Sequence, residues 1–172
     1  GPMPDFTSTT YIPWYATLKS SITTVVIENG VTSIGHHAFE DCAGLMSLII
    51  PETISFIGDS AFWNCTGMTS LEFNAINCDD MQPSTFSECP LIKLSIGNNV
   101  KTIPAYLAYG QTKLKSVTIP NSVISIGNHA FEGCTSLTSA FIPSSVTSFG
   151  SGAFGACDNL KEYIVDMANK VC

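Results

Sequence analysis

The apolar positions of this chain keep a long, regular beat. Residues 31–53 hold Val31, Ile34, Ala38, Phe39, Cys42, Leu45, Leu48 and Ile50, and the polar letters between them are unremarkable. The same arrangement returns downstream: "GVTSIGHHAFEDCAGL" from Gly30 and "SVISIGNHAFEGCTSL" from Ser122 share their apolar letters and differ in their polar ones. The landmarks Phe39, Phe62, Phe86, Phe131 and Phe154 fall 23, 24, 45 and 23 residues apart, and the gap of 45 holds a degenerate copy with Ala108 at the Phe position. Units therefore lie near 31–53, 54–77, 78–99, 100–122, 123–145 and 146–166. Six copies of one period predict a solenoid, in which each coil contacts only its neighbours.

Within a unit two local periods alternate. Leu45-x-x-Leu48-x-Ile50 ends on the period-2 spacing of a strand with one buried face. Gly35-x-x-Ala38-Phe39-x-x-Cys42 has the 3–4 spacing of a single helical or 3₁₀ turn. The tripeptides "PET", "PNS" and "PSS" supply turn chemistry between units. One unit cannot bury both sides of its own apolar surface. Stacking puts like on like, which explains why inward letters are kept and outward letters drift. Phe39, Phe62, Phe86, Phe131 and Phe154 are accordingly the expected core column. The fourth unit departs from the pattern, with Pro104 for Gly, Leu107 for Ala, Ala108 for Phe and Gln111 for Cys. An unfilled Phe site costs about 3–5 kcal/mol, so Leu107 or Tyr109 is expected to fill it. Tyr106 and Tyr109 alternatively mark a specialised contact on the outer side.

The string Leu45, Leu48, Ile50, Pro51, Ile54, Ile57, Gly58, Ala61, Phe62, Cys65 resembles the BspA-like leucine-rich repeat, LxxLxIPxxVxxIGxxAFxxC. It recurs in Leu114, Val117, Ile119, Pro120, Val123, Ile126, Gly127, Ala130, Phe131 and Cys134. The resemblance covers roughly residues 22–166. It implies an α/β solenoid: a right-handed array of about seven coils, with a parallel sheet on the concave face and short helical or 3₁₀ turns on the convex face. It also implies a bacterial or protozoan protein of the cell surface or extracellular space, with a role in adhesion or recognition. The count of seven includes a strand-only first coil through Ile22, Val25 and Ile27. Residues 1–21 form the expected N-terminal cap, with Tyr11, Trp14 and Tyr15 as a lid, and 167–172 a short polar tail.

Composition narrows the function. Charged residues are only 12 %, and the fourteen acids face seven lysines and no arginine. Nucleic-acid binding needs clustered cations against phosphate, and an anionic membrane surface needs the same. No apolar run reaches the ~20 residues that span a bilayer, and "GPMPDF" lacks the charged and apolar regions of a secretory leader.

Five of seven cysteines, Cys42, Cys65, Cys89, Cys134 and Cys157, occupy one repeat position, so buried reduced thiols are expected. Cys78 and Cys172 stand apart, and Cys172 could pair between chains. His36 and His37 lie several coils from His129, and Asp79 and Asp80 are neighbours in a turn, so no metal, cofactor or catalytic set is expected.

The outward strand positions remain. One column reads Val26, Ile49, Glu72, Ser95, Thr118, Phe141, Ile164; a second reads Thr24, Ser47, Ser70, Lys93, Ser116, Ser139, Glu162. Large apolar groups in the first mark it as the candidate ligand-binding face. The expected function is a non-enzymatic adhesion or recognition module that binds a host, neighbouring-cell or matrix protein. A carbohydrate-binding module and a passive spacer within a larger surface protein are the alternatives.

Overall fold

The computed structural model describes residues 1–3 and 18–165. The aromatics Tyr11, Trp14 and Tyr15 and the tail 167–172 lie outside them. Six strands end the successive units: β2 (Ser47–Ile50), β4 (Ser70–Phe73), β5 (Lys93–Ile96), β7 (Ser116–Thr118), β9 (Ser139–Ile142) and β11 (Glu162–Val165). A second column of two-residue strands opens the units: β1 (Ser33–Ile34), β3 (Phe56–Ile57), β6 (Thr102–Ile103), β8 (Ser125–Ile126) and β10 (Ser148–Phe149). Every pairing is parallel, and the register advances by one repeat, as in Leu48 with Leu71 and Leu71 with Leu94. The result is a parallel β-solenoid. Six long strands enclose five full turns, fewer than the seven coils expected. The segment through Ile22, Val25 and Ile27 packs against the core but forms no strand, so it does not add a coil of its own.

Alternation along the long strands sets inside from outside. Leu48 and Ile50 of β2 are buried while Ser47 and Ile49 are exposed. Inside, side chains of successive turns touch. The rings of Phe39 and Phe62 stack with centroids 5.4 Å apart, Phe62 and Phe86 at 5.3 Å, and Phe131 and Phe154 at 4.9 Å. In the fourth unit Leu107 and Ala108 are fully buried, whereas Tyr109 is exposed. Leu107, not Tyr109, therefore occupies the interior there. The glycines of two "IG" pairs mark close approaches of coils: a Cβ on Gly58 would run into the His36 backbone and one on Gly127 into the Ala105 backbone.

The segment from Gly35 to Cys42 is not helical, contrary to its spacing, and the sole helical element among the described residues is the 3₁₀ turn Lys19–Ser21. The backbone shows why. Ala38, Glu40 and Cys42 donate within the coil to Gly35, His37 and Phe39, while His37, Phe39 and Asp41 donate to Asp59, Ala61 and Trp63 of the next coil. A helix would keep its N–H groups for carbonyls of its own segment. Here alternate N–H groups are spent between coils, and residues near left-handed φ turn the chain to allow it: His37 at 57° and Asp41 at 61°, repeated at Ser60 and Asn64 and at His129 and Gly133. The 3–4 apolar spacing is thus made by linked tight turns that serve the stack.

One junction is different. Residues 78–99 lack a short strand, and β5 is not paired with β7. Among the described residues, no backbone hydrogen bond joins residues 82–98 to residues 103–120. The landmark positions account for this. Phe86 comes one residue late after Phe62, where turn and strand bonds are both kept, and Ala108 then follows after only 22 residues, where both are lost.

Candidate functional site

The candidate face is the outer side of the long strands. Pairing places Ile49 beside Glu72 and Glu72 beside Ser95, and in a separate ladder Thr118 beside Phe141 and Phe141 beside Ile164. The column is therefore two ladders with a break between Ser95 and Thr118. Val26 precedes them off any strand and is 79 % exposed. Ile49 is 56 % exposed, Glu72 and Thr118 are exposed, and Ser95 and Phe141 are half-buried. The hydroxyl column follows the same register, Ser47–Ser70–Lys93 and Ser116–Ser139–Glu162.

A third outward position escaped the sequence reading. Met46 and Ile92, each just before or at the start of a long strand, are 63 % and 53 % exposed. The signal was available, because both follow a buried Leu of the Leu-x-x-Leu pattern and so point out.

The surface of the described residues includes three cavities beside these elements. One of about 410 Å³ opens at the β5–β7 break and is lined by Lys93, Ser95, Asn98, Ser116, Thr118 and Pro120 among others. A second, of about 480 Å³, lies at the same junction, between Ser87–Pro90 and Tyr109–Lys113. The third, of about 900 Å³, lies at the N-terminal end between Ile27, Ile49, Pro51, Glu28, Glu52 and Asn74.

The cysteine column is a hydrogen-bonding device as well as a packing one. Cys65 Sγ donates to the Phe39 carbonyl at 3.2 Å, Cys89 to Phe62 at 3.1 Å, Cys134 to Ala108 at 3.2 Å and Cys157 to Phe131 at 3.1 Å. In each case the acceptor is the Phe-position carbonyl one coil back. Gln111 continues the series: its Nε2 donates to the Phe86 carbonyl at 3.0 Å. Its Oε1 accepts from the Leu91 amide at 3.2 Å, so one buried side chain spans the part of the junction, residues 82–98 against 103–120, that backbone bonds do not join.

Burial pushes the Cys42 thiol up to about 11, with the Asp41 charge adding to the effect and Lys19 opposing it. Burial likewise pushes Cys78 and Cys134 up to about 12. A hydrogen bond with the Cys89 thiol, then burial, raises Cys65. These groups stay protonated at neutral pH and are poor nucleophiles and metal ligands.

The histidines are engaged locally. His36 Nδ1 accepts the Asp59 amide at 2.8 Å, His37 pairs with Glu40 at 3.0 Å, and His129 pairs with Glu132. Among the described residues no three His, Cys, Asp or Glu side chains converge on a metal position, and no helix is long and apolar enough to cross a membrane.

Residues 10–107 and 79–170 match the family described as "BspA type Leucine rich repeat region", in six copies. Among solved structures, a leucine-rich repeat protein from Bacteroides ovatus is 31 % identical, with a TM-score of 0.71 over 81 % of this chain. The chain spans 36 % of that protein's length. A leucine-rich repeat protein of T. pallidum is 24 % identical over 78 % of this chain and 75 % of its own, with a TM-score of 0.59. The pneumococcal vaccine antigen PcpA is 19 % identical over 86 % of this chain and 37 % of its own, with a TM-score of 0.58, and shares the fold. No curated protein matches significantly. The repeat match spans nearly the whole chain and agrees with the stacked coils, so this chain belongs to the BspA-type leucine-rich repeat family.

Proposed function

We propose that this chain is a non-enzymatic recognition module of the cell surface that binds a protein ligand across its long-strand sheet. Ile49 carries the reading. It stands between the buried Leu48 and Ile50, where packing asks only for a polar residue, and leaves most of a large aliphatic side chain in water. Val26 and Met46 extend that exposure along the same end of the sheet, and Phe141 offers an aromatic ring on the far side of the break. A repeat array spreads contacts over many coils, so affinity would be the sum of many weak ones. Surface placement accords with the family resemblance. In an assay against purified matrix and cell-surface proteins, replacing Ile49 and Phe141 together by Ser should weaken the bound ligand by on the order of tenfold or more. Unchanged affinity for every ligand bound would refute the sheet-face assignment.

One observation favours a second reading. The 410 Å³ cavity at the β5–β7 break sets Lys93, Ser95, Asn98, Ser116 and Thr118 beside Ile92, Ile96 and Pro120, a mix of hydrogen-bonding and apolar surface that suits a saccharide. A glycan array separates the two. Glycan binding lost on Lys93→Ala, with protein ligands absent, would transfer the function to that cavity.

A further inference from the structure

Charge divides this solenoid into two blocks. Residues 20–92 carry nine carboxylates and no lysine, whereas residues 93–165 carry five lysines and three carboxylates. The border falls at Lys93 of β5, beside the junction where the backbone pairing stops.

The acidic block also holds the most exposed apolar side chains among the described residues: Ile49 on β2, Met46 just before it, and Val26 off any strand. Ile49 lines the 900 Å³ cavity, whose apolar floor of Ile27, Ile49 and Pro51 is rimmed by Glu28 and Glu52. Glu72 stands beside Ile49 in the strand register and adds a third carboxylate. Two of these acids accept hydrogen bonds from neutral amides. Glu52 accepts from Asn99 Nδ2 at 2.7 Å and Glu72 from Asn74 Nδ2 at 2.8 Å. The ion pairs among the described residues lie elsewhere, at Lys19–Asp41, His37–Glu40 and His129–Glu132.

An apolar floor inside an uncompensated acidic rim selects its occupant. A neutral apolar partner would strip water from three carboxylates with nothing in return. An acidic partner or a nucleic acid would be repelled. A partner with cations around an apolar residue gains from both floor and rim.

Resting on the recognition role proposed above, we infer that this end of the sheet face takes a basic, extended protein segment. One or two of its aliphatic or aromatic side chains lie on Ile49, and Lys or Arg side chains flank them at Glu28, Glu52 and Glu72. The basic C-terminal block would keep the segment in place by repelling it from the other half of the sheet, so charge sets position as well as affinity.

The test uses a labelled 12-residue probe of alternating Lys and Leu and its Glu–Leu counterpart, read by fluorescence anisotropy at physiological salt. The Lys–Leu probe should bind and the Glu–Leu probe should not. Glu28→Gln, Glu52→Gln and Glu72→Gln combined should weaken the Lys–Leu probe by on the order of tenfold, and Ile49→Ser by a similar factor. A control triple, Asp79→Asn, Glu88→Gln and Asp158→Asn, removes the same charge from exposed sites off this face and should change binding by less than about twofold. All the replaced carboxylates are exposed, and thermal melting by circular dichroism confirms folding.

Equal loss in both triples would show attraction to net charge alone and overturn the inference. So would absence of Lys–Leu binding, or sedimentation showing that a second copy covers this face. A natural ligand weakened by Ile49→Ser and Phe141→Ser but indifferent to the rim triple overturns the basic partner and leaves the sheet-face role standing. A ligand indifferent to all of them overturns both.

Discussion

Removing the ring of Phe62 tests the stacking that the fold depends on. Phe62 is fully buried, and its ring lies between Phe39 and Phe86 at interplanar angles of 13° and 4°. Phe62→Ala loses the transfer energy of the side chain and leaves a cavity that coils tied on both sides cannot collapse to fill, about 3–5 kcal/mol. Each stacked ring pair adds about 0.5–1.5 kcal/mol beyond area, and Phe62 has two. Phe131 is just as buried but has one ring partner, Phe154, because Ala108 stands on its other side. Phe154 is half-buried at the last turn. The expected order is therefore Phe62→Ala near the upper end of that range, Phe131→Ala lower by about 1 kcal/mol, and Phe154→Ala least. Urea denaturation followed by far-ultraviolet circular dichroism reads this directly: with a slope of about 2 kcal/mol per molar, the Phe62 variant should shift the midpoint by roughly 2 M. A Phe62/Phe86 double-mutant cycle should return a coupling of about 0.5–1.5 kcal/mol. Equal costs at 62 and 131, or a coupling indistinguishable from zero, would refute the claim that ring-on-ring contact between coils stabilises the stack.

Two further outcomes follow from the thiol column and its one interruption. Gln111→Leu keeps the volume but strips the donor from the Phe86 carbonyl, and should cost about 1–3 kcal/mol. Gln111→Cys restores a donor of the kind used in the other coils and should cost less, since the Leu91 amide also reaches the Cys89 carbonyl at 3.0 Å. Urea midpoints of the two variants decide it, and a Cys variant no better than Leu would reject the equivalence. Because burial raises Cys42 to about 11 and Cys78 and Cys134 to about 12, the folded state holds these protons after the unfolded chain has released them. The stabilisation is complete below the unfolded thiol value near 8.5 and is lost as pH climbs from there toward 11–12. Each thiol contributes a slope of up to about 1.4 kcal/mol per pH unit in that window. Denaturation midpoints at pH 8, 9 and 10 in a Cys172→Ser background should therefore be flat at first and then fall steeply.

The sequence was most informative where one physical demand repeats. Phe39, Phe62 and Phe86 could be aligned from spacing alone, because each stack position must be filled in every coil or leave a cavity. The outward column was legible for the same reason: once Leu48 and Ile50 point in, Ile49 points out. The helical reading of Gly35–Cys42 failed because 3–4 apolar spacing reports which side chains are buried, not which backbone bonds bury them. His37 and Asp41 carry the left-handed turns, and neither residue type announces that conformation as glycine would. The N-terminal coil was overcounted on equal grounds, since Ile22, Val25 and Ile27 do reach the core without any strand partner to pair with.

The junction after β5 shows where a repeat stops predicting itself. A one-residue displacement between Phe62 and Phe86, undone before Ala108, is a small event in an alignment. In the stack it is larger: strand pairing and turn bonds both survive the longer step from Phe62 to Phe86, and both stop at the shorter one from Phe86 to Ala108. The coils on either side keep their cores continuous, through Leu91 and Leu114, and give up backbone pairing along the sheet. A buried amide at Gln111 then bonds both the Phe86 carbonyl and the Leu91 amide, where the other coils place a thiol that bonds the carbonyl alone. The charge boundary coincides with this break, so the two halves of the sheet differ in pairing, in cavity and in sign. A solenoid of identical coils offers a partner the same surface at every step. This one offers two, and under the basic-segment proposal the sign of each half, together with the break between them, would set where the partner lies.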